Sequence, residues 1–152
     1  FRLSTMLEDG RGIKRNSAEG GALLREAAAS GYAPAQQLLA YRLEIGSNIK
    51  KDEAEAAVWY RRLAEKGDRQ AQEKLAEFLV KGRGVTKNEA EGLTWYKKAA
   101  ENGVVGAAWQ AAQMYFKGQG TPKDEVEGMV WLRKAAAGNQ PDAVKELQKR
   151  GG

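Results

Sequence analysis

The sequence contains no cysteine and no histidine, and these two absences remove whole classes of function. Without cysteine there is no disulfide framework, no thiolate nucleophile and no cysteine-ligated metal. Without histidine the commonest general base and the commonest zinc ligand are missing, together with every serine–histidine or cysteine–histidine catalytic arrangement. We therefore expect a chain that is not an enzyme and that uses neither a cofactor nor a metal.

Long apolar runs are also missing, since a membrane span needs about 20 apolar residues and the longest runs here are far shorter. We therefore expect a soluble chain. Hydrophobic residues still make up 42% of the 152 residues and charged residues 30%, a composition that favours one folded domain over disorder. The net charge of +5 leaves nucleic acid or an anionic surface open as a partner, so the placement of the basic residues matters.

The strongest signal is an internal repeat with a period of 36 residues and no insertion or deletion. Tryptophan recurs at that spacing in Trp59, Trp95 and Trp131, and Leu23 stands in the same column. Two further columns hold alanine at Ala35, Ala71, Ala107 and Ala143, and leucine at Leu3, Leu39 and Leu75. The apolar residues follow helical spacing between these columns.

Each repeat carries one helix start, in which a short polar residue precedes a glutamate by three positions. In such a capping box the polar side chain accepts from the first-turn amides and the glutamate reaches back to the cap's own amide. The pairs are Asn16/Glu19, Asp52/Glu55, Asn88/Glu91 and Asp124/Glu127.

The helix ends are marked by three glycine columns: Gly31, Gly67 and Gly103; Gly10, Gly46, Gly82 and Gly118; Gly12, Gly84 and Gly120. Asparagine replaces glycine at Asn139 in the first column and at Asn48 in the third. Asparagine is the non-glycine residue that best tolerates left-handed backbone, so these columns predict positive φ at helix C-termini.

Each repeat is therefore expected to be a helix, a tight Gly-x-Gly turn and a second helix, with no strands. The expected helices lie near residues 1–10, 17–30, 34–46, 52–66, 69–82, 88–102, 106–118, 124–138 and 141–149. The expected domain is a single array with repeats at about 1–32, 33–68, 69–104 and 105–140, and a capping helix at 141–149. Because Phe1 falls partway through a first helix, we expect a fragment or the mature part of a longer chain.

The run from Gly82 through Val85, the Asn88-x-x-Glu91 pair and the run from Trp95 to Gly103 closely resemble the Sel-one-like repeat, a relative of the tetratricopeptide repeat. Two departures are Leu23-Leu24 in place of Trp-Tyr and Ser47-Asn48 within the second turn. The resemblance implies a right-handed α/α superhelical solenoid that serves as an adaptor or scaffold. It favours a periplasmic or secreted location in bacteria, with the cytoplasm open, and the family's cysteine-rich branch is not matched.

Features that recur in every repeat are best interpreted as scaffold. The tryptophans are expected in the core, each three residues after a small residue that lets helices approach around the ring, rather than as ligand-stacking groups. The Gly-x-Gly turns lack a phosphate-loop fingerprint, and Asp52-Glu53-x-Glu55 is explained by capping rather than catalysis. Basic residues late in the second helices complement the helix dipole, although a phosphate-tracking stripe stays possible.

In tetratricopeptide-like arrays the first helix of each pair lines the concave face, so its non-periodic positions are the expected partner contacts. They are Phe1, Gln37, Tyr41, Glu44, Glu73, Glu77, Val80, Trp109, Gln113 and Phe116. Trp109 and Phe116 are the strongest candidates, because they lie seven residues apart on one helix and the repeat does not require them. The alternative is that the terminal helix folds over this end and buries Trp109.

We therefore expect a non-catalytic scaffold that binds a protein or peptide in a concave groove, without specific nucleic acid, a metal or a transmembrane segment. One alternative is a periplasmic regulator or an immunity-type inhibitor of a bacterial enzyme or toxin. Another is a weak binder of nucleic acid or of an anionic envelope polymer through a basic outer face.

Overall fold

Within residues 17–151, the part of the chain that the computed structural model describes, there are eight α-helices and no strand. The helices are α1 (Ser17–Ala29), α2 (Ala33–Ile45), α3 (Glu53–Glu65), α4 (Arg69–Lys81), α5 (Glu89–Glu101), α6 (Val105–Lys117), α7 (Glu125–Ala137) and α8 (Pro141–Lys149). The predicted all-α class is confirmed. The predicted helix near residues 1–10 lies outside the described residues, as do Leu3, Gly10, Gly12 and Asn16.

The helices belong to two compact units, Phe1–Lys66 and Gly67–Gly152. In the first unit α2 packs against α1 and α3. In the second unit α4 packs against α5, α5 against α6, α6 against α7 and α7 against α8. The most extensive packing is within the pairs α4/α5 and α6/α7, each joined by a Gly-x-Gly turn as predicted.

The predicted helix starts are capped by the expected side chains wherever the structure describes them. The side-chain oxygens of Asp52, Asn88 and Asp124 accept from the amides of Glu55, Glu91 and Glu127, each at 3.0 Å. These bonds satisfy one of the four orphan amides of each helix.

The second half of the predicted capping box is wrong. The amide of the cap residue donates to a carbonyl near the end of the preceding helix instead of to a glutamate: Asp52 to Leu43 at 2.9 Å, Asn88 to Leu79 at 2.8 Å and Asp124 to Tyr115 at 3.0 Å. This bond joins the two helices of each pair across the turn. The glutamate side chain is then available for another contact.

The helix ends confirm the predicted left-handed positions. Asn48 has φ of 59° and Asn139 has φ of 63°, and the glycines of the same columns in the described residues also have positive φ. At Gly82 the left-handed backbone lets the amide bond back to the carbonyl of Phe78, which ends α4 and turns the chain towards α5.

The core of each unit consists of the periodic residues. In the first unit the fully buried side chains include Leu24, Ala35, Leu39, Leu43 and Ala56. In the second unit they include Leu75, Phe78, Ala107, Ala111, Leu132 and Ala143. Trp59, Trp95 and Trp131 are buried, as predicted, so these rings are not free to stack on a ligand.

Candidate functional site

Two of the three buried tryptophans bond to the glutamate one turn earlier, whereas the buried ring N–H of Trp131 has no hydrogen-bond partner among the described residues. The ring N–H of Trp59 donates to Glu55, and that of Trp95 donates to Glu91, each at 3.3 Å. These are the glutamates whose predicted contact with the cap amide is wrong. Their actual contact is the indole one turn later in the same helix, at a spacing of four residues.

The cations that repeat along the second helices cover the same rings. The charged groups of Arg62, Lys98 and Lys134 lie 4.8, 4.6 and 4.3 Å from the ring centroids of Trp59, Trp95 and Trp131. A cation over an indole face is a favourable contact. Their position late in each helix also fits the helix dipole, so these residues belong to the scaffold of each repeat.

The glycine three positions before Trp95 and before Trp131 lets the preceding helix come close, as predicted. A Cβ at Gly92 would lie 2.5 Å from Cγ2 of Val80 and 3.1 Å from the carbonyl oxygen of Ala76, and one at Gly128 would lie 2.5 Å from Cε1 of Phe116. Each glycine therefore makes room for one side chain of the preceding helix, Val80 or Phe116.

In the α2/α3 pair the position that corresponds to Val80 and Phe116 holds Glu44. This predicted contact residue is buried, and its carboxylate accepts from the hydroxyl of Tyr60 at 2.7 Å. Ala56 stands at the place of Gly92 and Gly128 and is also buried. Gln37 and Tyr41 of the same helix are exposed.

In the α4/α5 pair the predicted residues Glu73, Glu77 and Val80 form a charged surface with an apolar edge. Glu77 bonds to Lys81 at 3.1 Å and to Arg83 at 3.2 Å. Burial raises the pKa of Glu73, the carboxylate of Glu77 raises it further, and Lys74 opposes the shift.

Tyr96 lies near the same two carboxylates. Burial raises the pKa of its hydroxyl well above the usual range, and the charges of Glu77 and Glu73 add to that rise. Both charges disfavour a phenolate there, so Tyr96 stays neutral beside an acidic surface.

In the α6/α7 pair three predicted residues come together. Trp109, Gln113 and Phe116 line one cleft of about 410 Å³, with Lys117, Glu146 and Arg150 as the other lining residues. Trp109 and Phe116 are partly exposed, and Lys117 donates to the side-chain oxygen of Gln113 at 3.5 Å. The cleft therefore combines two aromatic faces with an amide, two cations and one carboxylate.

The terminal helix contributes one wall of this cleft and leaves Trp109 partly exposed. The guanidinium of Arg150 lies 3.8 Å from the ring centroid of Phe116. Arg150 is held there by Glu146 at 2.7 Å and by Glu125 at 3.2 Å. Sequence reasoning missed this residue, because Arg150 follows the last helix and its column has no repeating residue type.

The remaining predicted contact, Phe1, lies outside the described residues. Gln37, Tyr41 and Glu44 belong to the first unit and the other described contacts to the second. In residues 17–151 no group of three or more acidic side chains is arranged to hold a metal ion. No helix described by the structure has the length and apolar character needed to cross a membrane.

Two bacterial proteins of known structure are similar to most of this chain. A protective antigen present in uropathogenic Escherichia coli strains, which displays an SLR fold, is 30% identical over 99% of this chain, with a TM-score of 0.85. A Sel1 repeat protein from Oxalobacter formigenes is 30% identical over 97% of the chain, with a TM-score of 0.81. The chain spans only 33% of the first protein and 60% of the second.

The cysteine-rich protein B of Helicobacter pylori is more distant, at 20% identity over 84% of this chain and 96% of its own length. Its TM-score of 0.66 shows a shared fold alone. No curated protein matches the chain in sequence. The model of the Sel1 repeat matches four successive segments, residues 1–32, 33–68, 69–104 and 105–140. The chain, with its repeating caps, tryptophans and helix-ending glycines, therefore belongs to the Sel1 repeat family, whose members are commonly protein-interaction scaffolds.

Proposed function

We propose that this chain is a non-catalytic scaffold that binds another protein through the cleft on α6. The observation that carries the proposal is the cleft of about 410 Å³ between Trp109, Phe116 and the terminal helix. Neither aromatic residue belongs to the repeating pattern, and both stay partly exposed. A large aromatic surface next to polar groups is typical of the residues that dominate protein interfaces.

The lining of the cleft indicates the chemistry of the partner. Glu146 is already bonded to Arg150, whereas the contact that Lys117 makes within residues 17–151 is a long one of 3.5 Å, to Gln113. An apolar side chain that enters between Trp109 and Phe116, with a carboxylate or carbonyl next to it, would meet apolar rings, an ammonium and an amide. We therefore expect an apolar anchor flanked by an acidic or polar residue in a protein segment.

The rigidity of the site supports binding rather than chemistry. Phe116 packs between the backbone of Gly128 and the guanidinium of Arg150, so one wall of the cleft is formed before a partner arrives. A preformed surface loses little conformational entropy on binding. The acidic residues of the second-helix starts cap helices and accept from tryptophan, which accounts for them without a catalytic role.

The basic second helices do not favour nucleic acid as the main partner. Arg62, Lys98 and Lys134 lie over tryptophan rings of their own helices. Phosphate contacts with these groups would compete with those packing contacts, and such binding is steeply salt-dependent. The proposal therefore predicts a complex that survives high salt.

A site-specific photocrosslinker tests the proposal directly. Benzoylphenylalanine replaces Trp109 in one variant and the exposed Val58 of α3 in a matched control. Both variants are incubated with an extract of the source organism at 0.5 M salt, because the Debye length is then shorter than the ~8 Å of physiological salt and charge–charge attraction is screened. We expect one protein to crosslink at position 109 and not at position 58. Equal labelling at both positions, or nucleic acid as the only crosslinked material, would contradict the proposed site.

The setting of this scaffold is part of the same proposal. Family resemblance and the likeness to a protective antigen support a periplasmic or secreted location. Fractionation of the source cells with an antibody against residues 17–151 tests this, and recovery in the cytoplasmic fraction alone would contradict it.

A further inference from the structure

A carboxylate of α4 meets a glycine in the first turn of α6, in the interior of the array. A Cβ added to Gly106 would lie 3.3 Å from Oε1 of Glu73. Neither residue belongs to the repeating pattern. In the other repeats the position of Glu73 holds Gln37, Trp109 and Lys145, and that of Gly106 holds Pro34, Gln70 and Asp142. The repeat therefore requires neither the carboxylate nor the glycine.

The glycine leaves the carboxylate accessible from the surface of α6. Among the described residues outside the turns of α6 itself, Glu73 is the residue that comes within 4 Å of the added Cβ. Both Glu73 and Gly106 are partly exposed. A side chain from another molecule could therefore approach the carboxylate over Gly106 without displacing a neighbour.

The charge of Glu73 is not compensated in the way that the charge of its neighbour is. Glu77 forms ion pairs with Lys81 at 3.1 Å, Arg83 at 3.2 Å and Lys74 at 4.0 Å. Glu73 forms no ion pair with any side chain of residues 17–151. The cations around Glu77 therefore leave one carboxylate of this surface without a direct partner.

This arrangement destabilises the free chain at neutral pH. Burial raises the pKa of Glu73, Glu77 raises it further, and Lys74 opposes the rise. A carboxylate held by the amides at the start of α6 would have a lowered pKa instead, so Glu73 does not act as a cap of that helix. A cation supplied from outside would offset both the burial and the repulsion.

The carboxylate lies at one end of the cleft. Gly106 precedes Trp109 by three residues, which is one turn of α6 and about 4.5 Å along its axis. Gln113, Phe116 and Lys117 continue the lining of the cleft towards the other end of the helix. The cleft therefore has a carboxylate near the N-terminal end of α6 and an ammonium near the C-terminal end.

We propose that the segment bound in the cleft carries a lysine or arginine two residues from its apolar anchor, and that Glu73 selects it. This inference rests on the proposed function of the cleft. In an extended segment, side chains two residues apart point to the same face and lie about 7 Å apart. The distance along α6 from Gly106 to the middle of Trp109 and Phe116 is about 10 Å, which a long basic side chain spans.

A basic side chain fits this place better than a metal ion does. A metal ion prefers several oxygen ligands, and in residues 17–151 no group of three or more acidic side chains is arranged to hold one. An ammonium or a guanidinium needs one carboxylate. Because Glu73 is half-buried, the pair is screened less by water than a pair on an open surface.

Short synthetic peptides added to the whole chain test the selection. Acetyl-Lys-Ala-Phe-Ala-Asp-amide and the reversed order, Asp-Ala-Phe-Ala-Lys, cover both directions of the segment, and norleucine replaces lysine in a matched analogue of each. The peptides are titrated to about 10 mM, because so short a segment is expected to bind weakly. The indole signal of Trp109 and the amide signal of Gly106 are followed by NMR of the isotope-labelled chain.

The lysine peptide that binds more tightly should have about fivefold higher affinity than its norleucine analogue. Glu73→Gln should remove this difference, and Glu73→Lys should prefer an analogue with glutamate in place of lysine. Glu101→Gln removes an exposed carboxylate at the end of α5 and should leave the difference unchanged. The remaining NMR signals verify that each variant keeps its fold.

Equal affinity of the lysine and norleucine peptides overturns the inference, and so does a preference for lysine that survives in Glu73→Gln. In both cases a shift of the Trp109 signal still supports the cleft as a binding site, so the two failures are told apart. A titration that shifts neither signal also overturns the selection by Glu73. The crosslink at position 109 then decides independently whether the cleft binds a protein.

Discussion

The α2/α3 and α6/α7 pairs share their backbone contacts but present different surfaces, one closed and one with a cleft. In both pairs the amide of the N-cap residue of the second helix donates to a carbonyl of the first helix, and a cation covers a buried tryptophan. They differ in three linked positions: Glu44, Ala56 and Tyr60 in one pair are replaced by Phe116, Gly128 and Leu132 in the other.

Two of the three positions are in contact in each pair, Glu44 with Tyr60 in one and Phe116 with Gly128 in the other. The buried carboxylate of Glu44 accepts from the hydroxyl of Tyr60 at 2.7 Å, so this hydrogen bond lies in the interior of the pair. Phe116 needs the space that Gly128 leaves, and its ring continues to the surface where Arg150 covers one side. The comparison shows that one small set of side chains decides whether a repeat seals its surface or opens a cleft.

The largest effect is expected where the aromatic arrangement is broken. Phe116→Ala should lower the free energy of unfolding by about 2–4 kcal/mol, because a large partly buried ring is lost. Gly128→Ala alone should cost about 1–2 kcal/mol, since its Cβ would contact the ring at 2.5 Å. In the Phe116→Ala background the same alanine should instead stabilise α7 by up to about 1 kcal/mol through helix propensity.

Urea denaturation of the four proteins in this double-mutant cycle checks the inversion of sign. Gly106→Ala on α6 is the matched control, because its Cβ would meet only the flexible carboxylate of Glu73 at 3.3 Å. Additive effects of Phe116→Ala and Gly128→Ala would show that the two residues are not coupled.

The next largest loss of stability is expected at the hydrogen bond between Tyr60 and Glu44. Tyr60→Phe removes the donor to the buried Glu44 and should cost about 1–3 kcal/mol of unfolding free energy. Tyr96→Phe should cost less at neutral pH, because among the described residues no hydrogen bond from its hydroxyl is recorded. Thermal unfolding measures the loss of stability in both variants. An equal loss would show that the hydroxyl of Tyr60 in the α2/α3 pair matters no more than that of Tyr96 in the α4/α5 pair.

A smaller effect should appear at alkaline pH. The folded-state pKa of Tyr96 is raised by burial and by the charges of Glu77 and Glu73, so its contribution to stability is complete below the unfolded pKa of about 10 and declines above it. Wild-type stability should therefore fall between about pH 10 and 11 more steeply than that of Tyr96→Phe. Parallel pH dependences of the two proteins would count against this role.

The smallest effect is expected at Glu73. Because burial and then Glu77 raise its pKa, the stability that this carboxyl contributes is present below its unfolded pKa and lost as pH rises through the folded value. Glu73→Gln should be more stable than wild type at pH 7, and the difference should shrink towards pH 4. Denaturation curves at both pH values measure it, and Gln113→Glu on α6 provides a comparison with the opposite change of charge.

Sequence periodicity predicted the helices because the signals at helix starts and ends recur without interruption. It also predicted that Trp109, Gln113 and Phe116 share a surface, since their spacings of four and three residues place them on one helix face. The proposal that this surface binds a partner stays a prediction. The glutamate contact with tryptophan was readable from the same four-residue spacing, but the capping-box interpretation explained those residues first.

Other features depended on contacts that local patterns do not reveal. Arg150 reaches Phe116 from 34 positions away, and its column holds Met114, Phe78 and Arg42 in the earlier repeats, so no repeating residue type points to it. The burial of Glu44 had no clear signal in the sequence, because tyrosine stands at position 96 as well as at position 60, while the residue that corresponds to Glu44 in the α4/α5 pair is Val80. The charged residue was therefore assigned to the surface.

The amides of Asp52, Asn88 and Asp124 lie just outside the second helices and donate to carbonyls near the ends of the first helices. Each of these protons is sheltered from solvent only while the two helices of its pair remain docked. The deuterium exchange rate of each amide would consequently report the opening of its own pair. Equal rates at the three amides would indicate that the pairs open in one concerted step, and different rates would indicate that they open separately.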